Sequence, residues 1–169
     1  MNFSIDQVPE FYRNYIKKTE GGELVPLLLQ SGDQLVATCR DLGDEKALFR
    51  YEIGKWSIKD LIQHLIDSDR VFAYRAMRFA RNDKTELSGF DQDDYVPEAH
   101  ADERPLHQLL NEFNSLRAST IEFFYALKPQ QLSRVGISNG VEMSVEMLGY
   151  IMSGHTLHHL QIINERYIK

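Results

Sequence analysis

The chain has little cysteine and no long hydrophobic run. A single cysteine, Cys39, rules out an internal disulfide and is typical of a reducing cytosol. Its apolar neighbours Leu35 and Val36 favour a small buried side chain over a nucleophile. The early apolar run Leu24–Leu29 is short and contains proline, so we predict no signal peptide, and nothing approaches the about 18 apolar residues of a membrane span. We therefore expect a cytoplasmic protein without a membrane partner.

Positive charge is also scarce. The chain has 19 Lys and Arg against 25 Asp and Glu, a net charge of −6, and no basic cluster of the kind that follows phosphates. Nucleic acid is therefore not an expected partner. A hydrophobic fraction of 43% and a charged fraction of 26% are ordinary for a globular protein, and residues 1–169 are most simply one domain with its own core.

Several catalytic motifs are missing as well. There is no HExxH, so a zincin protease is excluded, and no Glu-x-x-His, so the carboxylate set of a di-iron bundle is excluded. The sequence has no glycine-rich phosphate loop and no serine in a nucleophile elbow.

Four long segments have the apolar periodicity of amphipathic helices. They cover about residues 23–42, 57–81, 102–127 and 144–167, and a shorter amphipathic segment covers residues 8–18. The second segment begins with a capping-box-like Ser57 and Asp60, and Trp56 can pack against Leu61 one turn later. Because strand signals are weak, we predict an all-α four-helix bundle with a short extra N-terminal helix.

Two connections lack a clear period. Residues 132–140 show some alternation but no hairpin partner, so we interpret them as a loop. Residues 82–101 form a long acidic connection. Its Asp91, Asp93 and Asp94 resemble a calcium loop only in part, because the sixth position is not glycine and the twelfth is not glutamate. We interpret this segment as a solvated acidic loop.

His155 and His159 are the most informative pair in the sequence. They lie four residues apart within the apolar stripe of the last predicted helix, so their rings can converge on one point. Imidazole is the commonest protein ligand for zinc and related metals. A pair of hydrogen-bonded core histidines is the alternative, and two histidines in one stripe favour the metal.

A catalytic metal typically takes a third protein ligand. His64 lies at the flank of the inner stripe of the second helix, where periodicity alone fits a ligand and a partly exposed histidine equally well. His158 lies beside the stripe of the last helix, which favours a surface role over one flanking the site. His100 and His107 are interpreted as surface histidines.

Two opposite charges also fall within apolar stripes. Asp69 lies in the stripe of the second helix and Arg117 in that of the third. Buried charges are costly unless paired, so we predict that they meet. A structural role in orienting the helices is favoured over support of the metal site.

Two stretches of sequence resemble a known family. Residues 55–67, KWSIKDLIQHLID, resemble the helix-two signature of the DinB/YfiT-like superfamily, and residues 154–160, GHTLHHL, resemble its helix-four signature. The resemblance spans nearly the whole chain. Its members are four-helix bundles, commonly dimers, in which these signatures bind a divalent metal. The resemblance therefore implies His64, His155 and His159 as ligands and a homodimer as the assembly.

The family implies a class of chemistry but no substrate. Relatives include S-transferases and isomerases that use bacillithiol, mycothiol or glutathione, and others labelled metal-dependent hydrolases. We therefore expect Zn²⁺ or Ni²⁺ to activate a low-molecular-weight thiol or water against a small molecule. No general base is evident, which keeps a non-catalytic, metal-stabilised binding or stress-response module as the alternative. Trp56, Phe90 and Tyr95 are candidates for a pocket mouth, although packing explains each equally well.

Overall fold

A computed structural model describes residues 1–168 and is mainly helical. The α-helices of this range are α1 (Arg13–Lys17), α2 (Leu24–Cys39), α3 (Gly43–Ala47), α4 (Ile58–Ala80), α5 (Gln92–Glu98), α6 (Leu106–Tyr125), α7 (Pro129–Leu132) and α8 (Val145–Ile162). The strands are β1 (Val135–Ser138) and β2 (Val141–Ser144). Short 3-10 turns cover Ile5–Gln7, Glu10–Tyr12 and Ala101–Glu103, and a π-helical turn, Ile163–Tyr167, extends α8.

The four long helices α2, α4, α6 and α8 form the bundle. Both α2 and α4 pack against α6 and against α8, and α1 lies on α8. The predicted four-helix architecture with a short N-terminal helix is confirmed. No helix among residues 1–168 is both long enough and apolar enough to cross a bilayer.

The start of α4 is fixed by polar contacts. Ser57 and Asp60 form the expected capping box, in which each backbone N–H donates to the other side chain at 3.0 Å. Ser57 Oγ also donates to Asp102 Oδ1 at 2.6 Å, and the buried Lys59 pairs with Asp44 at 2.7 Å. These contacts tie the first turn of α4 to α3 and to the 3-10 turn that precedes α6, and so fix the helix that carries His64.

The prediction of a loop over residues 132–140 is wrong. β1 pairs with β2 in an antiparallel hairpin, in which Val135 opposes Ser144. The connecting residues Asn139 and Gly140 have φ angles of 53° and 72°. A two-residue type I′ turn needs positive φ at both positions, and Asn-Gly is its preferred sequence. The partner strand was missed because it has four residues and leads directly into α8.

The prediction of an irregular loop over residues 82–101 is also wrong in part, because α5 occupies seven residues of it. Asp91 begins this helix by accepting a hydrogen bond from the Asp93 backbone N–H at 2.9 Å. Pro97 lies inside the helix near its end, which is why the sequence pattern argued against a helix there. Asp91, Asp93 and Asp94 are exposed, as expected for a solvated acidic segment.

Two apolar clusters fill the bundle, one towards each end. The first contains Leu28, Phe72, Phe79, Phe124 and Leu148 among others. The second contains Leu35, Ile62, Leu65, Phe113 and Leu160 among others. Between them each long helix contributes a buried polar side chain, and together these form a polar layer of Ser31, Asp69, Arg117 and Thr156.

Arg117 joins the members of this polar layer. Its Nε and Nη2 donate to Asp69 Oδ2 at 2.9 and 2.7 Å, which confirms the predicted pair. Nη2 also donates to Thr156 Oγ1 at 2.8 Å, and Nη1 donates to Ser31 Oγ and to the Leu28 carbonyl, both at 3.0 Å. One guanidinium on α6 therefore holds α2, α4 and α8.

We predict that removing one member of the Asp69–Arg117 pair costs more than removing both, because a lone buried charge then remains. Asp69→Asn and Arg117→Met should each lower the free energy of unfolding by about 3 kcal/mol or more, and the double variant should recover part of the loss. Denaturant titrations of the four proteins measure the coupling.

The exposed Arg40–Asp41 ion pair, 3.3 Å apart, provides the matched control. Arg40→Met and Asp41→Asn should change the free energy of unfolding by less than about 1 kcal/mol. Strictly additive losses at Asp69 and Arg117 would show that the contact between them does not stabilise the fold.

Candidate metal centre

Three buried histidines meet between α4 and α8. His155 Nε2 lies 3.0 Å from His64 Nε2 and 2.9 Å from His159 Nε2. The three side chains are 3%, 4% and 7% exposed for His64, His155 and His159. Their position follows from helical geometry, since His155 and His159 are one turn apart on α8 and α4 packs against that face. The structure thus brings together all three residues named as ligands from the sequence.

Burial sets the protonation state of the three imidazoles. It lowers the pKa of His64 to about 4, and the nearby His158 adds a smaller repulsion. For His155 and His159, burial likewise lowers the pKa well below the ordinary value, followed by repulsion from the neighbouring imidazoles. All three rings are therefore neutral at pH 7 and have a lone pair available.

The donor set fits a divalent metal ion. An ion with metal–nitrogen distances of about 2.0–2.1 Å places tetrahedral ligand atoms about 3.3 Å apart, close to the two Nε2 separations seen here. Three neutral nitrogens also leave at least one coordination position for another ligand. Nδ1 of His155 and of His159 has no hydrogen-bond partner among residues 1–168, so no protein acceptor there orients these two rings from behind.

Trp56 covers the His64 side of the cluster. The centroids of the Trp56 and His64 rings are 4.9 Å apart. The Trp56 carbonyl accepts a hydrogen bond from the Tyr167 hydroxyl at 2.7 Å, which connects the segment before α4 to the π-helical turn after α8. Trp56 therefore packs against His64, and it is not among the residues that line the cavity at His155.

A cavity of about 330 Å³ reaches the site on the His155 side. The N-terminal segment forms one wall, and the segment before α5 and the β-hairpin turn form another. Its lining includes Tyr12, Tyr15, Ser68, Phe72, Phe90, Asp91, Asn139 and His155. His155 is the member of the triad that faces this cavity.

The N-terminal wall depends on a glycine. A Cβ atom on Gly154 would lie 2.1 Å from the Tyr15 carbonyl oxygen, so only glycine lets α1 approach α8 this closely. Within that contact the Tyr15 ring centroid is 5.0 Å from that of His155 and 5.2 Å from that of His158. The glycine that precedes His155 thus brings an aromatic side chain against the triad.

The other histidines lie outside the triad. His158 is half-buried, with its ring centroid 5.1 Å from that of His159, so it flanks the site instead of facing open solvent as favoured from the sequence. His100 and His107 are exposed, as expected.

Phe90 and Tyr95, two of the aromatic candidates for a pocket mouth, differ in their positions. Phe90 lines the cavity at His155, whereas Tyr95 contacts Phe90 at 5.1 Å between ring centroids and lines the neighbouring cavity. Sequence reasoning missed Ser68 and Phe72, although they follow His64 by four and eight residues on the same face of α4. Nothing in the sequence pattern signalled the part played by Tyr12 and Tyr15.

Comparisons with known proteins concern the family and the fold of the chain. The model of the DinB superfamily matches residues 27–163. A protein of Oceanobacillus iheyensis, named as a putative metal-dependent hydrolase, is 25% identical over 131 residues, which are 76% of this chain and 74% of that protein. The structure of YfiT from Bacillus subtilis, described as a probable metal-dependent hydrolase with an unusual four-helix bundle topology, matches with a TM-score of 0.76 at 17% identity. That match covers 84% of this chain and 82% of YfiT, and at this identity it shows the fold.

We predict that the metal-free protein loses stability as the pH falls below about 6.5, the ordinary pKa of histidine. The folded imidazoles take up protons only at lower pH, so the unfolded chain binds more protons in the window between the two pKa values. Stability therefore rises with pH across this window. Denaturant titrations of chelator-treated protein from about pH 7.5 to about pH 4.5 measure it.

Replacing His64, His155 and His159 together by glutamine should flatten this dependence, because no buried imidazole then remains to be protonated. The exposed His107→Gln variant is the control and should behave as the wild type does. A triple variant that retains the full pH dependence would assign it to other groups.

Proposed function

The chain belongs to the DinB superfamily, and we propose that it is a metal-dependent enzyme whose divalent ion is held by His64, His155 and His159. The observation that supports this most directly is the convergence of three buried, neutral Nε2 atoms at separations of 2.9 and 3.0 Å. The descriptions of YfiT and of the O. iheyensis protein as metal-dependent hydrolases support it as well.

Zn²⁺ and Ni²⁺ are the ions we propose, because imidazole nitrogen suits both and the cluster contains no carboxylate that would favour a harder ion. Cys39 is not part of the chemistry. It is fully buried, and burial raises the pKa of its thiol to about 12, so thiolate is scarce at neutral pH. A sulfur nucleophile would therefore come from outside the chain.

The lining of the cavity supports a thiol as the nucleophile. When bound, the ion supplies Lewis acidity that lowers the pKa of a thiol or of water. The cavity at His155 is lined mostly by aromatic, hydroxyl and amide side chains, and its one carboxylate, Asp91, already accepts the hydrogen bond that begins α5. A thiol is already more acidic than water and depends less on a neighbouring base.

The chain's own residues shape the reaction. Burial raises the pKa values of Tyr12 and Tyr15, so both phenols stay protonated at neutral pH. The rings of Phe72 and Phe90 limit the water that reaches the triad. A cavity of about 330 Å³ suits a small molecule. The homodimer and the cytoplasmic location stay predictions.

We predict about one divalent ion per chain, removable by a chelator. His155→Ala and His159→Ala should abolish binding and His64→Ala should weaken it severely, because each removes one of three ligands. Elemental analysis gives the stoichiometry. Trp56, the sole tryptophan of the chain, lies beside His64, so its fluorescence should change on metal titration.

The exposed His107→Ala variant is the control and should bind metal as the wild type does. Protein purified without metal that takes up neither Zn²⁺ nor Ni²⁺ on titration would contradict the assignment of the triad.

We predict that the metal-loaded protein consumes a low-molecular-weight thiol such as bacillithiol when an electrophile such as monochlorobimane is present. The chelated protein should be inactive, and reloading should restore activity. Thiol loss and conjugate formation measure the reaction. Hydrolysis of esters or amides without thiol consumption would support the second candidate function, a hydrolase. The names of the relatives favour that candidate. Ligand binding without turnover would identify a binding module.

A further inference from the structure

Arg75 of α4 is a buried cation without a carboxylate partner among residues 1–168. Arg75 is 3% exposed, its Nη2 donates to the Ser88 carbonyl at 3.0 Å, and its guanidinium also lies beside the hydroxyl of Tyr12. None of the ion pairs in this part of the chain includes it. The equally buried Arg117, by contrast, is neutralised by Asp69.

An unneutralised buried charge calls for an explanation. Removing a cation from water is costly, and a carbonyl dipole offsets less of that cost than an anion does. A guanidinium has five N–H donors in a rigid fork that matches a carboxylate, and it stays protonated in proteins. Arg75 is therefore well suited to bind an anion that the chain itself does not supply.

The surroundings of Arg75 form a cavity of about 490 Å³. Aromatic side chains line it, namely Tyr74, Phe90 and Tyr95. Two other charged residues line it as well. Arg70 is already paired with Glu112 at 2.5 Å, and Glu86 is exposed and lies outside hydrogen-bond contact with Arg75. Of the two cations in this cavity, the buried guanidinium of Arg75 is the one that is not paired with a carboxylate.

This cavity adjoins the one at the metal centre. Phe90 lines both cavities. The Phe72 ring centroid lies 5.9 Å from the Arg75 guanidinium carbon and 6.4 Å from the His155 ring centroid. These two distances together place the guanidinium carbon within about 12 Å of the centre of the His155 ring, and one small organic molecule can span that distance.

We propose that Arg75 binds the carboxylate of an anionic substrate whose reacting end reaches the cavity at His155. The carboxylate would accept the free N–H donors of the guanidinium, and the rings of Tyr74, Phe90 and Tyr95 would pack against the body of the molecule. The carboxylate site rests on geometry separate from the triad, and its use by a substrate rests on the proposed function.

The test measures the binding of benzoate to the full-length, metal-free chain. Benzamide, an uncharged molecule of the same size, is the control ligand. Benzoate should bind to the wild type and benzamide should bind at least about tenfold more weakly. Arg75→Met should lose at least about tenfold in benzoate affinity by calorimetry. Arg70→Met, which changes a paired arginine of the same cavity, should bind benzoate as the wild type does. Inorganic phosphate, tested in parallel, should bind more weakly than benzoate.

Three results would overturn the proposal. They are equal benzoate affinity in the wild type and Arg75→Met, equal affinity for benzamide, and preference for phosphate, which would assign a phosphate site instead. If Arg75→Met does not fold, the test is made on the wild type by NMR. The nitrogen chemical shift of Arg75 Nε must then change when benzoate is added. Arg75→Lys, which keeps the charge and loses the fork, should bind benzoate with intermediate affinity.

The experiment separates this proposal from the proposed function, because benzoate binding is measured on the metal-free chain and metal content on the loaded one. Loss of metal binding alone would contradict the enzyme, and loss of benzoate binding alone would contradict the Arg75 site.

Discussion

The buried guanidinium of Arg117 is the contact on which the rest of the bundle depends. It reaches Asp69 on α4, Thr156 on α8 and Ser31 on α2, and it lies between the two apolar clusters. Apolar packing alone tolerates small slides of one helix along another, whereas directional hydrogen bonds from one planar group do not. Because Thr156 directly follows His155, the register that Arg117 imposes on α4 and α8 is also the register that brings His64 opposite the HxxxH pair.

The four-helix bundle and the three histidines could be predicted from the sequence, whereas most residues that line the cavity could not. Long amphipathic helices repeat their apolar residues often enough to be recognised, and the resemblance of residues 55–67 and 154–160 added His64 to the pair that periodicity had found. The β-hairpin and α5 escaped because a strand of four residues and a helix containing Pro97 give little periodic signal. Tyr12 and Tyr15 could not be placed, since their contact with α8 is a long-range one that no local pattern encodes.

Neutral and positively charged side chains of the site lie at different positions along α4. At one end three imidazoles are neutral because they are buried, and they provide lone pairs without bringing negative charge. Eleven residues after His64, about three helical turns, Arg75 provides a positive charge on nearly the same face. The triad contains no carboxylate that would cancel the charge of a bound ion, so with such an ion in place both ends of the site would favour anionic ligands.

The contact between Gly154 and Tyr15 separates two parts of the site along the sequence. The three histidines lie within residues 27–163, the part that the DinB superfamily has in common, whereas Tyr12 and Tyr15 precede it. The three histidines and one wall of the cavity therefore lie in different segments of the sequence, which come into contact where Gly154 lets two backbones approach. Substitutions in the first 26 residues can therefore change the shape of the cavity while leaving the three histidines in place.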